Sequence, residues 1–251
     1  MKILLKIAYD GTNYAGWQRQ ENAASVQGVL EFALRRLFGE DVPISGASRT
    51  DAGVHANGQC ATFELAKMPI PLEKLPTVIN SQLPSDIAVQ SAKTVADDFN
   101  ARFGAVSKTY VYKIYNAPVR NPLVCRYAAF VPQKLDVAKM QQAANFFVGT
   151  FDFAAFCASG SSAKSTVRTV FSCEVAEEII GEISQNRLIS IKISGNAFLY
   201  NMVRIIAGTL FYVGCGKFTA ADILPIIASK NRAKAGKTMA ACGLVLEEVF
   251  Y

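Results

Sequence analysis

Eleven residues, Gly46-Ala-Ser-Arg-Thr-Asp-Ala-Gly-Val-His-Ala56, set one carboxylate, Asp51, between two glycines and directly after an arginine and a threonine. Gly46 and Gly53 permit backbone conformations that bulkier residues resist, so the turn can bring Arg49, Thr50 and Asp51 close to a ligand. An ionised aspartate so held can serve as nucleophile or base, provided that a cation orients it and water is kept away. The plainer reading of the same residues is that Thr50 or Asp51 caps a turn or a helix start.

The candidate cation is Arg204. It falls inside the most apolar stretch, residues 197–215, where Asn201, Arg204 and Gly208 form the one polar or small stripe at helical spacing. An arginine so placed needs an anionic partner to offset its desolvation, and that partner is either Asp51 or a carboxylate in a structural ion pair elsewhere. The single histidine, His55, excludes a histidine dyad or a two-histidine metal site within one chain, and no G-x-S-x-G elbow is present. His55 is expected to be a structural hydrogen-bonder. The six cysteines never form a C-x-x-C pair, so neither a zinc site nor a disulfide framework is indicated; reduced, mostly buried thiols are expected. Carboxylate chemistry without metal or cofactor remains.

Three further segments could touch a ligand. Gly11 to Gln18 has the G-x-x-x-x-G spacing of a phosphate loop, but Trp17 and Gln18 stand where Lys and Ser or Thr are needed, which excludes a nucleoside-triphosphate site. The cluster Tyr14, Trp17, Gln18, Arg19 and Gln20 fits a nucleic-acid surface or, equally, a tryptophan packed over the core. Residues 159–168 and 230–237 are polar, basic loops that could track phosphates or simply be solvated.

The elements that must position these groups follow from hydrophobic patterning. A chain of 251 residues, 51% hydrophobic and 18% charged, suits one large domain or two intertwined halves. Its net charge, 26 − 20 = +6, suggests a polyanionic partner. Residues 1–10 read as a strand, because Lys6 and Asp10 interrupt any signal-like run. Residues 197–215 read as a buried helix, because Asn201 and Arg204 are central to it, and a cytoplasmic location with no membrane association is expected.

Periodicity predicts a helix over 26–38, strands over 42–45, 59–65 and 86–96, and a helix around 72–81, an order that suits a helix-backed antiparallel sheet. The second half repeats the theme: strand 106–115, helix 136–147, strands 167–176 and 188–194, an apolar helix from Phe198, a helix from Ala220 and a strand over 244–249. No Pro/Gly/Ser-rich linker separates the halves near 102–107, which argues for one continuous sheet.

Through Tyr9-Asp-Gly-Thr-Asn-Tyr-Ala-Gly-Trp-Gln-Arg-Gln20, Ser25-Val-Gln27, Arg49-Thr-Asp-Ala-Gly-Val-His-Ala56, Ala101-Arg-Phe103, Lys108-Thr-Tyr110, Ser165-Thr-Val-Arg-Thr169, Asn196-Ala-Phe-Leu-Tyr-Asn-Met-Val-Arg204 and Gly243-Leu-Val-Leu246, the sequence resembles the tRNA pseudouridine synthase A (TruA) family nearly end to end. The resemblance implies isomerisation of uridine to pseudouridine at positions 38, 39 and 40 of tRNA anticodon stem-loops, by a homodimer with no metal or organic cofactor. It implies an α+β fold of two similar α/β, ferredoxin-like halves, residues 1–104 and 105–251, sharing one continuous antiparallel sheet with a central active-site cleft. It places the catalytic carboxylate on Asp51 and the base-stacking ring on Tyr110. Arg49 would hold the target nucleotide out of the helix, Arg204 would pair with the carboxylate, and Leu244 would form an apolar wall.

The residues themselves leave alternatives open. Asp51 could attack the sugar carbon, add to the uracil ring or take a proton from the sugar, and Tyr110 could stack on the base, move a proton or be a core aromatic of an alternating strand. Ser48, Asn100, Phe151 and Ala240-Ala241 depart from the family's commoner residues, which touches loop shape and RNA contact. Two rivals stand beside the main reading: a non-catalytic RNA-binding or RNA-folding module on the same scaffold, and a pseudouridine synthase acting on other RNA sites.

Overall fold

Alternating or continuous apolar residues make the strands, and five of them build the sheet behind Asp51. In a computed structural model that describes residues 1–181 and 186–251, the chain forms two compact units, Met1–Val106 with Val245–Tyr251, and Ser107–Leu244. The first runs β1 (Lys2–Tyr9), α1 (Val26–Phe38), β2 (Ser45–Gly46), β3 (His55–Glu64), α2 (Leu75–Asn80) and β4 (Ile87–Val95). The second runs β5 (Ser107–Asn116), α3 (Pro122–Cys125), β6 (Ala129–Val131), α4 (Val137–Ala144), β7 (Gly149–Asp152), β8 (Val167–Ile179), β9 (Arg187–Gly195), α5 (Met202–Gly214) and α6 (Ile223–Ser229). The last strand, β10 (Leu244–Phe250), belongs to the first unit from Val245 onward.

In the first unit the strand order is β4-β1-β3-β10. β1 is central and apolar, with Ile3, Leu5 and Ile7 wholly buried, and it pairs antiparallel with both β3 and β4. The far edge of β3 is shared: β2 pairs with Ala61 and Thr62, while β10 pairs with His55 and Ala56. The loop carrying Asp51 leaves that edge after β2 and returns to it at the start of β3. Helix α1 begins where Ser25 accepts the Gly28 N–H and ends at Gly39, whose φ of 75° stops the right-handed spiral. Val26, Leu30, Ala33 and Leu34 of the predicted apolar face are buried, and so is Gln27, while Val29, Leu37 and Phe38 are only partly so.

In the second unit the order is β6-β5-β9-β8-β7, with α4 and α5 packed together on it. Helix α5 is buried nearly all round, and it starts at Met202 rather than Phe198. Asn201 has φ 61°, and a left-handed residue cannot continue a right-handed helix toward Phe198.

The architecture is α+β, but the sheets are mixed where a purely antiparallel arrangement was expected. β10 runs parallel to β3, and β6 runs parallel to β5. Parallel neighbours are reached by crossovers, which element order alone does not reveal. No helix among the described residues is long and apolar enough to cross a membrane. The cysteines are free thiols, yet only Cys60 and Cys173 are buried and Cys215 is exposed, so they are less buried than expected. They serve as small residues of strands, turns and helix ends rather than as a core set.

Candidate active site

Between β2 and β3 the backbone is irregular, and every turn of it is tied to something behind it. At its start the Ala47 N–H donates to the Cys60 carbonyl at 2.7 Å. The Gln59 amide then closes a two-way bridge to Ser48, its Nε2 donating to the Ser48 carbonyl at 2.6 Å while its Oε1 accepts the Ser48 N–H at 3.3 Å. Gln59 is wholly buried, so these bonds satisfy a group that would otherwise be costly inside the unit. At the loop's turn the Thr50 carbonyl accepts the Trp17 N–H at 3.1 Å, and the Asp51 carbonyl accepts the Val54 N–H at 3.1 Å. Asp51 is half-buried between those two anchors, and Arg49 is exposed two residues before it.

The clamp behind the loop is the segment from Gly11 to Trp17. Trp17 is 1% exposed, so its ring is core and offers no surface to a base. Gly46 exists to admit that ring: a Cβ there would overlap the indole nitrogen. Gly16, with φ +96°, lets the backbone pass directly over the Thr50 carbonyl. The spacing that imitates a phosphate loop is thus a cradle for another loop. Tyr14 completes it by accepting the Gly53 N–H on its carbonyl and donating its hydroxyl to Asp86 at 2.6 Å. Burial and that carboxylate push the Tyr14 phenol well above its ordinary range, so it stays a donor.

His55 is structural, as expected. It is 3% exposed, and its Nδ1 lies 3.1 Å from both the Gly11 amide and Asp10 Oδ1. The neutral ring accepts the Gly11 proton, whereas a ring protonated at Nδ1 faces the carboxylate. In either form His55 fixes the start of the Gly11–Trp17 cradle.

The other predicted site residues, Tyr110, Arg204 and Leu244, lie in the second unit. Tyr110 is on β5, opposite Ile193 on β9, 5% exposed, with its ring in edge contact with Phe198 at 5.2 Å. Arg204, half-buried on the first turn of α5, donates from Nε to the Met239 carbonyl at 2.8 Å and from Nη1 to Asn201 Oδ1 at 2.6 Å. The stripe read from the sequence is therefore partly self-contained, Asn201 orienting Arg204 three residues on.

Leu244 is 6% exposed, and the turn just before it is held by Tyr112, which sequence reasoning missed. The Tyr112 hydroxyl donates to the Ala240 carbonyl at 2.8 Å, and Gly243 sits so close that a Cβ would strike the Tyr112 ring. Burial, then Cys242, raise the Tyr112 phenol far above its ordinary range. Tyr110 and Tyr112 are two apart on one strand and so share a face. Alternation was the signal that could have paired them.

Both basic loops are more committed than their charge suggests. Lys230 pairs with Asp152 at 2.8 Å, Arg232 donates to the Gly236 carbonyl and the Thr238 hydroxyl, and the Lys237 ammonium lies 4.3 Å from the Phe211 ring centre. Arg168 donates to the carbonyls of Ser165 and Val167, and burial lowers its affinity for a proton. Lys164 and Lys234 remain exposed on these loops. Among the described residues no three His, Cys, Asp or Glu side chains are grouped to hold a metal.

Comparison with known proteins gives this arrangement a context. The family described as tRNA pseudouridine synthase matches residues 6–104 and 143–251. A Caldicellulosiruptor saccharolyticus protein named tRNA pseudouridine synthase A is 49% identical over 249 residues, covering 99% of each chain. A Ruminiclostridium cellulolyticum protein of the same name is 49% identical over 250 residues, covering 100% of this chain and 99% of its own. One from Bacillus pumilus is 42% identical over 253 residues with the same coverage.

Proposed function

The chain belongs to the tRNA pseudouridine synthase family, and from that membership we propose that it isomerises uridine to pseudouridine at positions 38, 39 and 40 of tRNA anticodon stem-loops, with Asp51 as the catalytic carboxylate. The observation that supports this assignment of Asp51 is the doubly anchored loop. It holds a half-buried aspartate at a turn whose neighbouring carbonyls are both fixed, with Arg49 exposed beside it.

The chemistry asks for such a group. The bond from the uracil N1 to the sugar C1′ breaks, the ring turns, and a bond from C5 to C1′ forms; N1 gains the proton that C5 loses. Atoms and electrons balance without an oxidant or reductant. A base stacked in a stem is out of reach, so the uridine is flipped out first. An aspartate fixed in advance supplies its charge at no cost of reorganisation when the glycosidic bond breaks. Arg49, exposed on the loop, takes the space left in the RNA helix; Tyr110 stacks on the extruded uracil; Arg204 keeps Asp51 ionised and oriented; Leu244 excludes water.

On this reading residues 1–104 contribute the Arg49–Asp51 loop and residues 105–251 contribute Tyr110, Arg204 and Leu244. The protein acts as a cytoplasmic homodimer, and neither metal nor organic cofactor takes part. A monomeric mass by light scattering would remove the dimer.

The test is conversion in an unmodified tRNA transcript with uridine at 38 to 40, comparing the native chain with Asp51→Asn. Turnover is expected to fall by about 10³-fold or more, with tRNA affinity kept within a few-fold. Product from both would take the chemistry away from Asp51. Product from neither, with tRNA still bound, would leave an RNA-binding module or a pseudouridine synthase acting on another RNA.

A further inference from the structure

We propose that Tyr9 and Thr50 form a positioning pair for Asp51: one buried hydrogen bond between their hydroxyls sets the peptide that carries the catalytic carboxylate. The inference rests on the reading of Asp51 given above. Tyr9 is 4% exposed and Thr50 7% exposed, and their hydroxyls lie 2.7 Å apart. A hydroxyl pair removed from water at that distance is directional.

The bond joins distant parts of the unit. Tyr9 ends β1, and the pairing of β1 with β3 shifts register between Ile7 and Tyr9. Such irregularities re-aim the side chain that follows them. Here Tyr9 lies opposite Ala56 on β3, with its ring 6.1 Å from that of Trp17. Thr50 receives three constraints at once: Tyr9 on its hydroxyl, the Trp17 N–H on its carbonyl, and the backbone of Gly16 packed against that same carbonyl. The next residue is Asp51, whose own carbonyl is held by the Val54 N–H. With both flanking peptides fixed, the carboxylate is left only its two side-chain torsions. A threonine in this place serves through its hydroxyl rather than as a helix or turn cap.

Displacement of a reacting group by about an ångström lowers rates on the order of 100-fold without weakening remote binding. Tyr9→Phe and Thr50→Val are therefore expected each to slow single-turnover isomerisation at saturating tRNA by about 10-fold to 100-fold, with tRNA Kd unchanged within about twofold. The double variant should be no slower than the slower single variant, because both remove the same bond. Thr50→Ser, which keeps the hydroxyl, restores most of the rate. Amide hydrogen exchange over residues 47–54 should be faster in the Phe and Val variants than in the native chain or Thr50→Ser. Tyr9→Phe keeps the ring's packing and carries the test should Thr50→Val not fold.

Unchanged rates, a loss carried by Kd alone, or a double variant showing the product of two independent losses would overturn the proposal. If the native chain makes no pseudouridine, the reading of Asp51 fails separately. Faster exchange at 47–54 in the variants would then still establish the anchor, and unchanged exchange would remove it.

Discussion

Gly16 carries more of the candidate site than its size suggests. Its φ of +96° and its passage over the Thr50 carbonyl leave no room for a methyl group. Gly16→Ala is expected to cost about 1–3 kcal/mol of stability through strain and collision, and the unfolding midpoint in urea measures it. Surviving protein should turn over more slowly, since the collision falls on the residue before Asp51. The glycine-bracketed loop that carries Arg49 and Asp51 was legible in the sequence, and so was the structural hydrogen bonding of His55. Tyr9 and Tyr112 were not. Each acts through one hydroxyl on a residue far away in sequence, Tyr9 on Thr50 and Tyr112 on Ala240, and only the folded chain shows which distant group a strand residue meets. Trp17 had two equal readings from its neighbours. Its burial beneath Gly46 decides for the core.

Among the elements, long periodic ones were readable and short ones were not. Helix α1 and strands β1, β4 and β5 fall within a residue or two of their patterns. β6 and β7 have three and four residues, too few to show a period, and both are recruited by longer neighbours. β7 nevertheless matters for the basic loop beyond α6. Lys230, left-handed at the end of that helix, pairs with Asp152 at the end of β7, and Thr166 donates to the same carboxylate. The Lys230 ammonium, then the Thr166 hydroxyl, hold the Asp152 carboxyl below its usual range. A lowered carboxyl stabilises the fold above its unfolded value and loses that contribution as pH falls through the folded one. Lys230→Ala should therefore cost less than about 1 kcal/mol at pH 7, since Lys230 is largely exposed, with the gap to the native chain narrowing below about pH 4. Denaturant titrations at neutral and acid pH give the comparison. A gap that widened in acid would reject this tie.

For the whole molecule, the excess of six positive charges favours a polyanion, and Arg49, Lys164 and Lys234 are among the exposed cations that could meet it. Affinity for tRNA is expected to fall at least about 10-fold between 50 and 200 mM salt, read from fluorescence anisotropy. Arg49→Ala should flatten that slope only slightly while slowing turnover, because one contact among several is lost. The α+β class was legible from the alternation of strands and helices; the parallel seating of β10 on β3 was not. That seating bears on how the protein is made. Val245 pairs with His55, 245 − 55 = 190 residues earlier in the chain, so the edge of β3 that borders the Asp51 loop stays open while everything between is synthesised. At about 5–20 residues per second, that is roughly 10–40 s on the ribosome. A nascent chain stopped anywhere before β10 carries the loop without the strand that seals its border. The border of the loop is thereby completed only once the last strand has been made.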